Sequence, residues 1–309
     1  MSKQFYITSP IYYVNGVPHI GTALTTAVCD FEKRYRVLRK EPVYFLTGTD
    51  ENGTKVLEAA QAAGKSGLEF VDEISQRFVE EWKFLDIEYD DFIRTTEPRH
   101  IKATQEVFKI LKEKGYVYLD VYEGWYDVSS ESFVRDADVV DGKSPDGNEL
   151  RRVKEENWFF KLSEFTQPLL EKIEKEPNWL RPESRKNEVI AFLKQEGGLR
   201  DMCISRSNQG WGIPVPGDES KVIYVWFDAL INYLAATGWP DAGWEEKWPA
   251  DVHWMAKEIF TRFHATLWPA VLMGLGLPLP KSIIAHGWFT FSGDKISKSK
   301  GGLISPRNL

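Results

Sequence analysis

Cysteine pairs and long hydrophobic runs are both missing from this chain. Its 309 residues include two cysteines, Cys29 and Cys203. Two thiols cannot build a disulfide framework or a four-cysteine zinc site, and low cysteine use is typical of a reducing compartment. Residues 1–10 lack the pattern of a secretory signal, and the most apolar late stretch, 267–280, is too short and too proline-broken to span a bilayer. We therefore expect a cytoplasmic protein that has no contact with a membrane.

An excess of positive charge is also absent, since the formal net charge is −7. Domains whose whole surface binds nucleic acid are usually basic, so any contact with RNA has to be local or supplied by further sequence. Apolar residues make up 42% of the chain and aromatic residues 14%, which is typical of a folded globular protein. The twelve tryptophans are compatible with an aromatic-lined pocket. The length predicts a principal domain that carries a smaller one.

Alternating strand-like and helix-like stretches predict an α/β fold. A strand at 4–8 precedes a loop and then apolar residues at helical spacing from Ile20 to Leu38. A second strand is predicted at 43–47 and helices at 55–84 and 98–114, the last ended by Gly115. This order predicts a doubly wound parallel sheet of Rossmann type, with ligands bound at the carboxyl ends of its strands.

The alternation stops between residues 116 and 202. Turn-rich and highly charged sequence fills this stretch, and we predict an inserted α+β domain there. The first pattern then resumes with strands at 222–226, 252–255 and 282–285, a helix through Tyr233, and a helix at 260–275. We therefore expect residues 1–115 and 203–309 to form the two halves of one sheet.

Residues 18–22, Pro-His-Ile-Gly-Thr, lie where the first predicted strand gives way to the first helix. Backbone N–H groups and the positive end of the helix dipole favour an anion at such a point. Gly21 would let a ligand approach closely, and His19 could donate a hydrogen bond to a phosphate oxygen. A capping or core histidine would give the same local pattern, so this segment alone does not establish a site.

The second candidate element is the lysine loop, residues 295–302, which reads Lys-Ile-Ser-Lys-Ser-Lys-Gly-Gly. Lysine is a compact cation suited to phosphates. A solvated basic loop is the alternative interpretation. We favour phosphate binding because the loop follows the last strand of the same split sheet that carries His19.

The two elements together resemble the HIGH and KMSKS signatures of class I aminoacyl-tRNA synthetases. HIGH is matched by His19-Ile20-Gly21-Thr22 and KMSKS by residues 295–299. Between them, segments in family order are similar to those of methionyl-tRNA synthetases over nearly the whole chain. These segments are 11–16 (IYYVNG), 47–53 (TGTDENG), 204–206 (ISR), 211–217 (WGIPVPG), 225–229 (VWFDA), 262–264 (RFH), 268–270 (WPA) and 285–288 (AHGW).

This resemblance implies a class I synthetase fold, split by a connective-peptide domain, that joins L-methionine to ATP as an adenylate and passes it to tRNA(Met). ATP with Mg²⁺ is the implied cofactor, and the tRNA is expected to contact the enzyme through its acceptor end. The implied catalytic residues are His19, Thr22, Lys295 and Lys298. The implied ATP-binding residues are Asn15, His19, Gly21, Thr22, Gly287, Lys295 and Lys298.

The resemblance also implies a methionine site, in which Asp50 holds the ammonium group and Arg206 the carboxylate. The side-chain pocket is implied to consist of Ile11, Tyr13, Trp226, Ala229, Tyr233, His264 and Trp268. A thioether makes favourable contacts at aromatic ring edges, so a pocket rich in tyrosine and tryptophan suits methionine. Without the surrounding motifs, core packing would explain the aromatic residues and an ion pair would explain the charged ones.

The sequence departs from the family pattern at several places. The second histidine of HIGH is Thr22, which keeps a hydrogen-bond donor, and a position that is commonly histidine is Asn52. The stretch 257–264 is one residue longer than usual, which leaves open whether Ile259 or Phe260 lines the pocket. The segments 124–130 and 142–147, where many relatives carry zinc-binding cysteine pairs, contain no cysteine. We therefore predict no structural zinc.

The chain ends at Leu309, before the anticodon-binding helical domain of this family. We expect a monomer that binds methionine and ATP better than it charges tRNA. A different hypothesis, favoured by Thr22 and by the missing domain, is a catalytically impaired relative that acts as a binding or interaction module. A third keeps the enzyme but makes it a leucine- or valine-type synthetase. The tryptophans and Tyr13 favour methionine over that third hypothesis.

Overall fold

The computed structural model describes residues 3–14, 16–127, 132–134, 138–145, 147–288, 290–291, 294–295 and 304–308. Its strands are β1 (Phe5–Tyr13), β2 (Val43–Asp50), β3 (Asp91–Arg94), β4 (Val117–Asp127), β5 (Ser132–Val134), β6 (Leu150–Phe160), β7 (Leu180–Arg181), β8 (Met202–Cys203), β9 (Ser205–Ser207), β10 (Pro214–Val215), β11 (Asp218–Ile223), β12 (Val252–Ala256), β13 (Ile283–His286), β14 (Thr290–Phe291) and β15 (Asp294–Lys295). Its α-helices are α1 (Ile20–Leu38), α2 (Thr54–Ala62), α3 (Gly67–Phe84), α4 (Pro98–Glu113), α5 (Thr166–Lys175), α6 (Glu183–Leu193), α7 (Val225–Leu230), α8 (Asn232–Ala235) and α9 (Trp268–Leu275).

The main sheet has the strand order β3-β2-β1-β12-β13-β7, and every pairing in it is parallel. This confirms the predicted doubly wound parallel sheet, whose first five strands follow the Rossmann order. Residues 44–50 of β2 are all buried, as expected when helices cover both faces of a parallel sheet. Alternate β2 residues therefore enter two hydrophobic clusters, Tyr44 in the larger one and Phe45 in the one beneath α1 and α3.

The predicted inserted domain, 116–202, contributes to two sheets. Strands β4, β5, β6 and β8 form an antiparallel sheet of their own, with β4 and β6 paired along their whole lengths. Strand β7, however, pairs with β13 at the edge of the main sheet. The boundaries 1–115, 116–202 and 203–309 stay a prediction, but the insertion returns to the main sheet before it ends.

Two predicted elements differ from the structure. The helix predicted at 55–84 is divided into α2 and α3, because Gly64 has a φ of +67° and Ser66 starts a new helix with a capping box to Glu69. The strand predicted at 222–226 is wrong at its end. Strand β11 stops at Ile223, and α7 begins at Val225 because the backbone N–H groups of residues 227 and 228 donate to the Tyr224 carbonyl.

The helix predicted at 260–275 begins as a π-helix, Phe260–Leu267, and continues as α9. A π-helix has i→i+5 hydrogen bonds and so contains more residues per turn than an α-helix, and the extra residue expected in 257–264 stays a prediction. The Thr266 hydroxyl donates to the carbonyl groups of Thr261 and Arg262, at 3.0 and 2.6 Å. Both His264 and Trp268 are buried in this helix.

Within the described part of the chain, no helix combines the length and the apolar character that crossing a bilayer would require.

Candidate active site

The carboxyl ends of β1 and β2 lie side by side at one edge of the main sheet. Tyr13 and Asp50 are paired in the strand register, and Ile11 is paired with Gly48. A Cβ atom at Gly48 would lie 2.0 Å from the carbonyl oxygen of Ile93, so only glycine permits β2 and β3 to approach this closely. This approach places Asp50 at the edge of the sheet, where it is 6% exposed.

His19 caps the amino terminus of α1 with its own side chain. Its Nδ1 accepts a hydrogen bond from the Gly21 backbone N–H at 3.1 Å, so Nδ1 carries no proton and the neutral ring is protonated at Nε2. A Cβ atom at Gly21 would lie 2.9 Å from Cε1 of the His19 ring. Gly21 therefore makes room for the imidazole itself.

Thr22 completes the capping box of α1. Its hydroxyl donates to the His19 carbonyl oxygen at 2.7 Å and accepts from the His19 backbone N–H at 3.0 Å. A hydroxyl has a single proton, and here that proton is engaged with the backbone. Thr22 therefore supports the position of His19 rather than offering a second donor to a ligand.

Segments next to the lysine loop contact the first turns of α1. The Ile20 backbone N–H donates to the Ile304 carbonyl at 3.0 Å, and Thr25 Oγ1 lies 2.6 Å from His286 Nε2 at the end of β13. Asn15 and Lys298 lie outside the described residues, and of Lys295 only the backbone, in β15, is described. Gly287 is exposed directly after β13.

Tyr233 and His264 form the centre of a buried polar group within the hydrophobic core. The His264 ring donates from Nδ1 to the Ile259 carbonyl at 2.9 Å, because a carbonyl can only accept. Its Nε2 therefore accepts from the Tyr233 hydroxyl at 2.7 Å. Burial lowers the pKa of His264 to about 4, and it raises the pKa of Tyr233. Both groups are consequently uncharged near neutral pH.

His253 extends this group toward the sheet. Its Nε2 accepts from the Trp268 indole N–H at 3.2 Å, so Nδ1 carries the proton that it shares with Thr8 Oγ1 at 2.6 Å. Burial lowers the pKa of His253 well below 6.5. The rings of Tyr233 and His253 are 4.3 Å apart and those of Tyr233 and Trp268 are 5.9 Å apart. Aromatic and imidazole rings thus form one rigid, neutral wall.

Trp226 stacks on Phe263 in the π-helix, with ring centroids 4.2 Å apart and planes inclined by 9°. Ala229 is 8% exposed one turn further along α7. Of the two residues left open by the sequence, Phe260 is fully buried in the larger hydrophobic cluster, whereas Ile259 is partly buried and contacts His264 through its carbonyl.

Arg206 lies between the main domain and the antiparallel sheet. Its guanidinium carbon is 3.9 Å from the Tyr224 ring centroid, and Nη1 donates to the Ser205 carbonyl at 2.7 Å. Arg206 lines a cleft whose other walls include Gly53 and Trp211. Because Gly53 is three residues beyond Asp50, this cleft approaches the same edge of the sheet from the side of the insertion.

Three residues of this region were not predicted as site residues from the sequence. His253 could have been noticed as a polar residue within the apolar strand 252–255. Phe263 belongs to a recognised motif, but only the structure shows its stacking on Trp226. Lys257, whose Nζ is 3.4 Å from the Trp288 ring centroid, is separated from its partner by thirty-one positions and gives no local signal.

No group of three histidine, cysteine, aspartate or glutamate side chains is arranged to hold a metal ion within the described ranges. Residues 128–130 and 146, which belong to the two segments without cysteine, lie outside those ranges, so the absence of structural zinc stays a prediction. Both cysteines are buried thiols.

A doubly wound parallel sheet whose first strand is followed by the start of a helix is typical of nucleotide-binding α/β proteins. The family described as tRNA synthetases class I (M) matches residues 5–152 and 144–309. The chain therefore belongs to this family of class I tRNA synthetases.

Similar proteins include the methionine–tRNA ligase of Thermotoga maritima, 50% identical over 98% of this chain and 49% of the relative. That of Caldanaerobacter subterraneus is 48% identical over 100% of this chain and 49% of the relative. The chain thus spans about half the length of these relatives. The structure of Mycobacterium tuberculosis methionyl-tRNA synthetase in complex with methionyl-adenylate matches with a TM-score of 0.92 and 41% identity, covering 98% of this chain and 61% of that one. The free-state structure of the same synthetase matches with a TM-score of 0.80 and 38% identity, over 93% and 56%.

Proposed function

We propose that this chain is the catalytic portion of a methionine–tRNA ligase. In the reaction, a carboxylate oxygen of L-methionine attacks the α-phosphorus of ATP, an O–P bond forms, and pyrophosphate leaves. The observation that carries the proposal is that β1 and β2 end side by side at Tyr13 and Asp50 and that α1, capped by His19, follows β1.

Methionine binding is assigned to charged groups at one end and neutral rings at the other. Asp50 would accept hydrogen bonds from the ammonium group, and Arg206 would pair with the carboxylate. The thioether would lie against Trp226, Tyr233 and Trp268, with Ile11, Tyr13, Ala229 and His264 completing the pocket. Because burial keeps the imidazole of His264 neutral, this wall presents no charge to an apolar side chain.

ATP binding is assigned to the start of α1 and to the lysine loop. His19, protonated at Nε2, would donate to a phosphate oxygen as negative charge builds on it, and Gly21 lets the ring take that position. Lys295 and Lys298 would neutralise the triphosphate, with Asn15 and Gly287 as further contacts. Thr22 would act through His19. Mg²⁺ is expected to accompany ATP, since phosphate oxygens are among its preferred ligands.

Transfer to the acceptor end of tRNA(Met) is the second half of the proposed activity. The net charge of −7 fits a local contact with the tRNA better than a broad one. A cytoplasmic location is supported by the low number of cysteines, and we propose a monomer.

Methionine-dependent exchange of pyrophosphate into ATP tests the proposed function. The purified chain should exchange pyrophosphate only when methionine is present, with leucine, valine and isoleucine as matched controls. Calorimetric titration with the same four amino acids should give heat for methionine alone. Binding of methionine without exchange would favour the binding-module hypothesis. Exchange that depends on leucine or valine would instead favour a synthetase specific for that amino acid.

A further inference from the structure

Three buried polar side chains connect separate elements behind the proposed methionine pocket. His100, in α4, places Nε2 2.5 Å from Asp228 Oδ1, and both side chains are completely buried. Asn52, in the loop after β2, donates from Nδ2 to the other carboxylate oxygen at 2.7 Å. We call these three residues the buried triad. Its members are 48 to 176 positions apart in sequence, so only the folded chain assembles it.

The carboxylate of Asp228 depends on both neighbours. An aspartate without solvent is stable only when its oxygens accept hydrogen bonds, and here one oxygen accepts from an imidazole and the other from an amide. Asn52 is 4% exposed, so water does not replace either donor. The triad is thus inaccessible to substrates, and any effect on function has to be transmitted through the elements that it connects.

Each connected element carries part of the proposed methionine site. Asn52 is two residues beyond Asp50, and Asp228 lies in α7 between Trp226 and Ala229. Helix α4, which carries His100, packs against α8, the helix that contains Tyr233. The triad therefore connects the loop that carries Asp50, the helix that carries Trp226 and the helix that packs against Tyr233.

The loop after β2 is held at a second point, which fixes its direction. The Thr95 hydroxyl oxygen accepts from the Glu51 backbone N–H at 2.9 Å and from Asn52 Nδ2 at 3.2 Å. Asn52 consequently bridges the loop after β3 and the helix α7. A shift of Asp228 would move Trp226 and Asp50 in relation to one another, which is the separation that a bound methionine has to span.

We propose that His100 is a positioning residue for methionine: by donating to Asp228 it fixes α7 against the loop after β2, and so sets the distance between Asp50 and the aromatic wall. This inference rests on the proposed function. It predicts an effect on methionine that is not shared by ATP, because the triad connects elements that carry the proposed methionine site, whereas ATP binding is assigned to the start of α1 and to the lysine loop.

The test compares two amide substitutions that differ in reach. His100→Gln places an amide near the position of Nε2 and can still donate to Asp228, whereas His100→Asn is too short. His100→Asn should raise KM for methionine roughly tenfold in pyrophosphate exchange, since small displacements at a site have effects of this size. KM for ATP should stay within about twofold, and His100→Gln should restore most of the methionine affinity. The dissociation constant of methionine is measured by calorimetry on the same samples.

Val107→Ala provides the matched control, because Val107 is fully buried in the same helix and belongs to the hydrophobic core rather than to the triad. It should lower the thermal midpoint without changing KM for methionine. Equal methionine constants for His100→Asn, His100→Gln and the unaltered chain would overturn the inference while leaving the proposed function intact. If His100→Asn weakened methionine and ATP equally, or if Val107→Ala weakened methionine as much, His100 would contribute only to the stability of the fold and the inference would be overturned. If the unaltered chain does not bind methionine, both proposals fail together.

Discussion

The two sides of the proposed crevice are built in different ways. The phosphate side, formed by His19, Gly21 and Thr22 at the start of α1, is half-buried and is held by backbone N–H and carbonyl groups within four residues of sequence. The methionine side, formed by Tyr233, His253, His264 and Trp268, is almost completely buried and is held by side chains from distant segments.

This difference follows from what each side would bind. A phosphate is a charged, hydrated group, and helix N–H groups with a nearby imidazole can meet it without first being removed from water. A thioether offers little to hydrogen bonds, so its site has to be selected by shape, and a rigid wall of neutral rings supplies that shape. Changes on the phosphate side should therefore affect the rate, and changes on the methionine side should affect affinity.

Among the substitutions, Lys298→Ala is expected to have the largest effect on the rate of pyrophosphate exchange with the least effect on methionine affinity. Removing one cation that neutralises the triphosphate should lower pyrophosphate exchange about a hundredfold, because the charge is greatest in the transition state. The dissociation constant of methionine should hardly change. Lys175→Ala, which alters an exposed lysine of α5, is the control. Unchanged exchange by Lys298→Ala would remove the lysine loop from the mechanism.

Asp50→Ala should produce the opposite pattern. Leaving the ammonium group of methionine without its carboxylate partner is expected to weaken binding by about thirtyfold or more. KM for ATP should stay near its original value. Calorimetry measures the methionine constant, with Asp241→Ala at the surface as a control for the loss of one negative charge. An unaltered methionine constant would contradict the ammonium role.

Gly21→Ala should reduce exchange about tenfold by displacing His19, since the added Cβ would meet the imidazole at 2.9 Å. The cause can be isolated with a double-mutant cycle. In a His19→Ala background, where the ring is gone, the same Gly21→Ala change should cost almost nothing. A full tenfold loss in that background would show that the methyl group obstructs the ligand directly.

The sequence predicted the local structure around His19 well because the signals for a helix start are local. Helical spacing from Ile20 onward predicted α1, and a capping histidine was one of the interpretations left open for His19, which the structure shows as the N-cap. Strand alternation also predicted the edge of the sheet where Tyr13 and Asp50 lie, because parallel strands end on the same side.

The methionine side was only partly predictable, because its contacts join residues that are far apart. Tyr233 and His264 entered through a family resemblance, while His253 and the buried triad gave no periodic signal. Trp226 was predicted at the end of a strand because Val222 to Trp226 is rich in β-branched and aromatic residues, yet tertiary packing makes the end of that run helical. No pattern in the sequence predicted that the helix at 260–275 begins as a π-helix.

The smallest expected effect concerns pH and the neutrality of the methionine side. Burial holds the pKa of His264 near 4, so the ring stays neutral well below the ordinary histidine value of 6.5. Methionine affinity should accordingly change less than about twofold between pH 8 and pH 5.5, because even pH 5.5 is about one and a half units above the pKa of His264, so the ring stays largely unprotonated. Calorimetric titration across this range measures it, and a tenfold loss by pH 5.5 would show that the imidazole becomes charged in the pocket.

Stability should respond to pH even where affinity does not. The unfolded chain takes up a proton on His264 near pH 6.5, but the folded chain does so only near pH 4. The contribution of His264 to the free energy of unfolding is therefore fully present above pH 6.5, and it is lost as the pH falls from 6.5 to 4. The expected slope is about 1.4 kcal/mol per pH unit for one histidine, and His253, whose pKa is also lowered, adds a second. Denaturant unfolding at several pH values measures this slope. His264→Asn should remove the contribution of one histidine from the pH dependence of the free energy of unfolding. If the substitution left this pH dependence unchanged, the imidazole of His264 would have to be protonated in the folded chain as readily as in the unfolded chain.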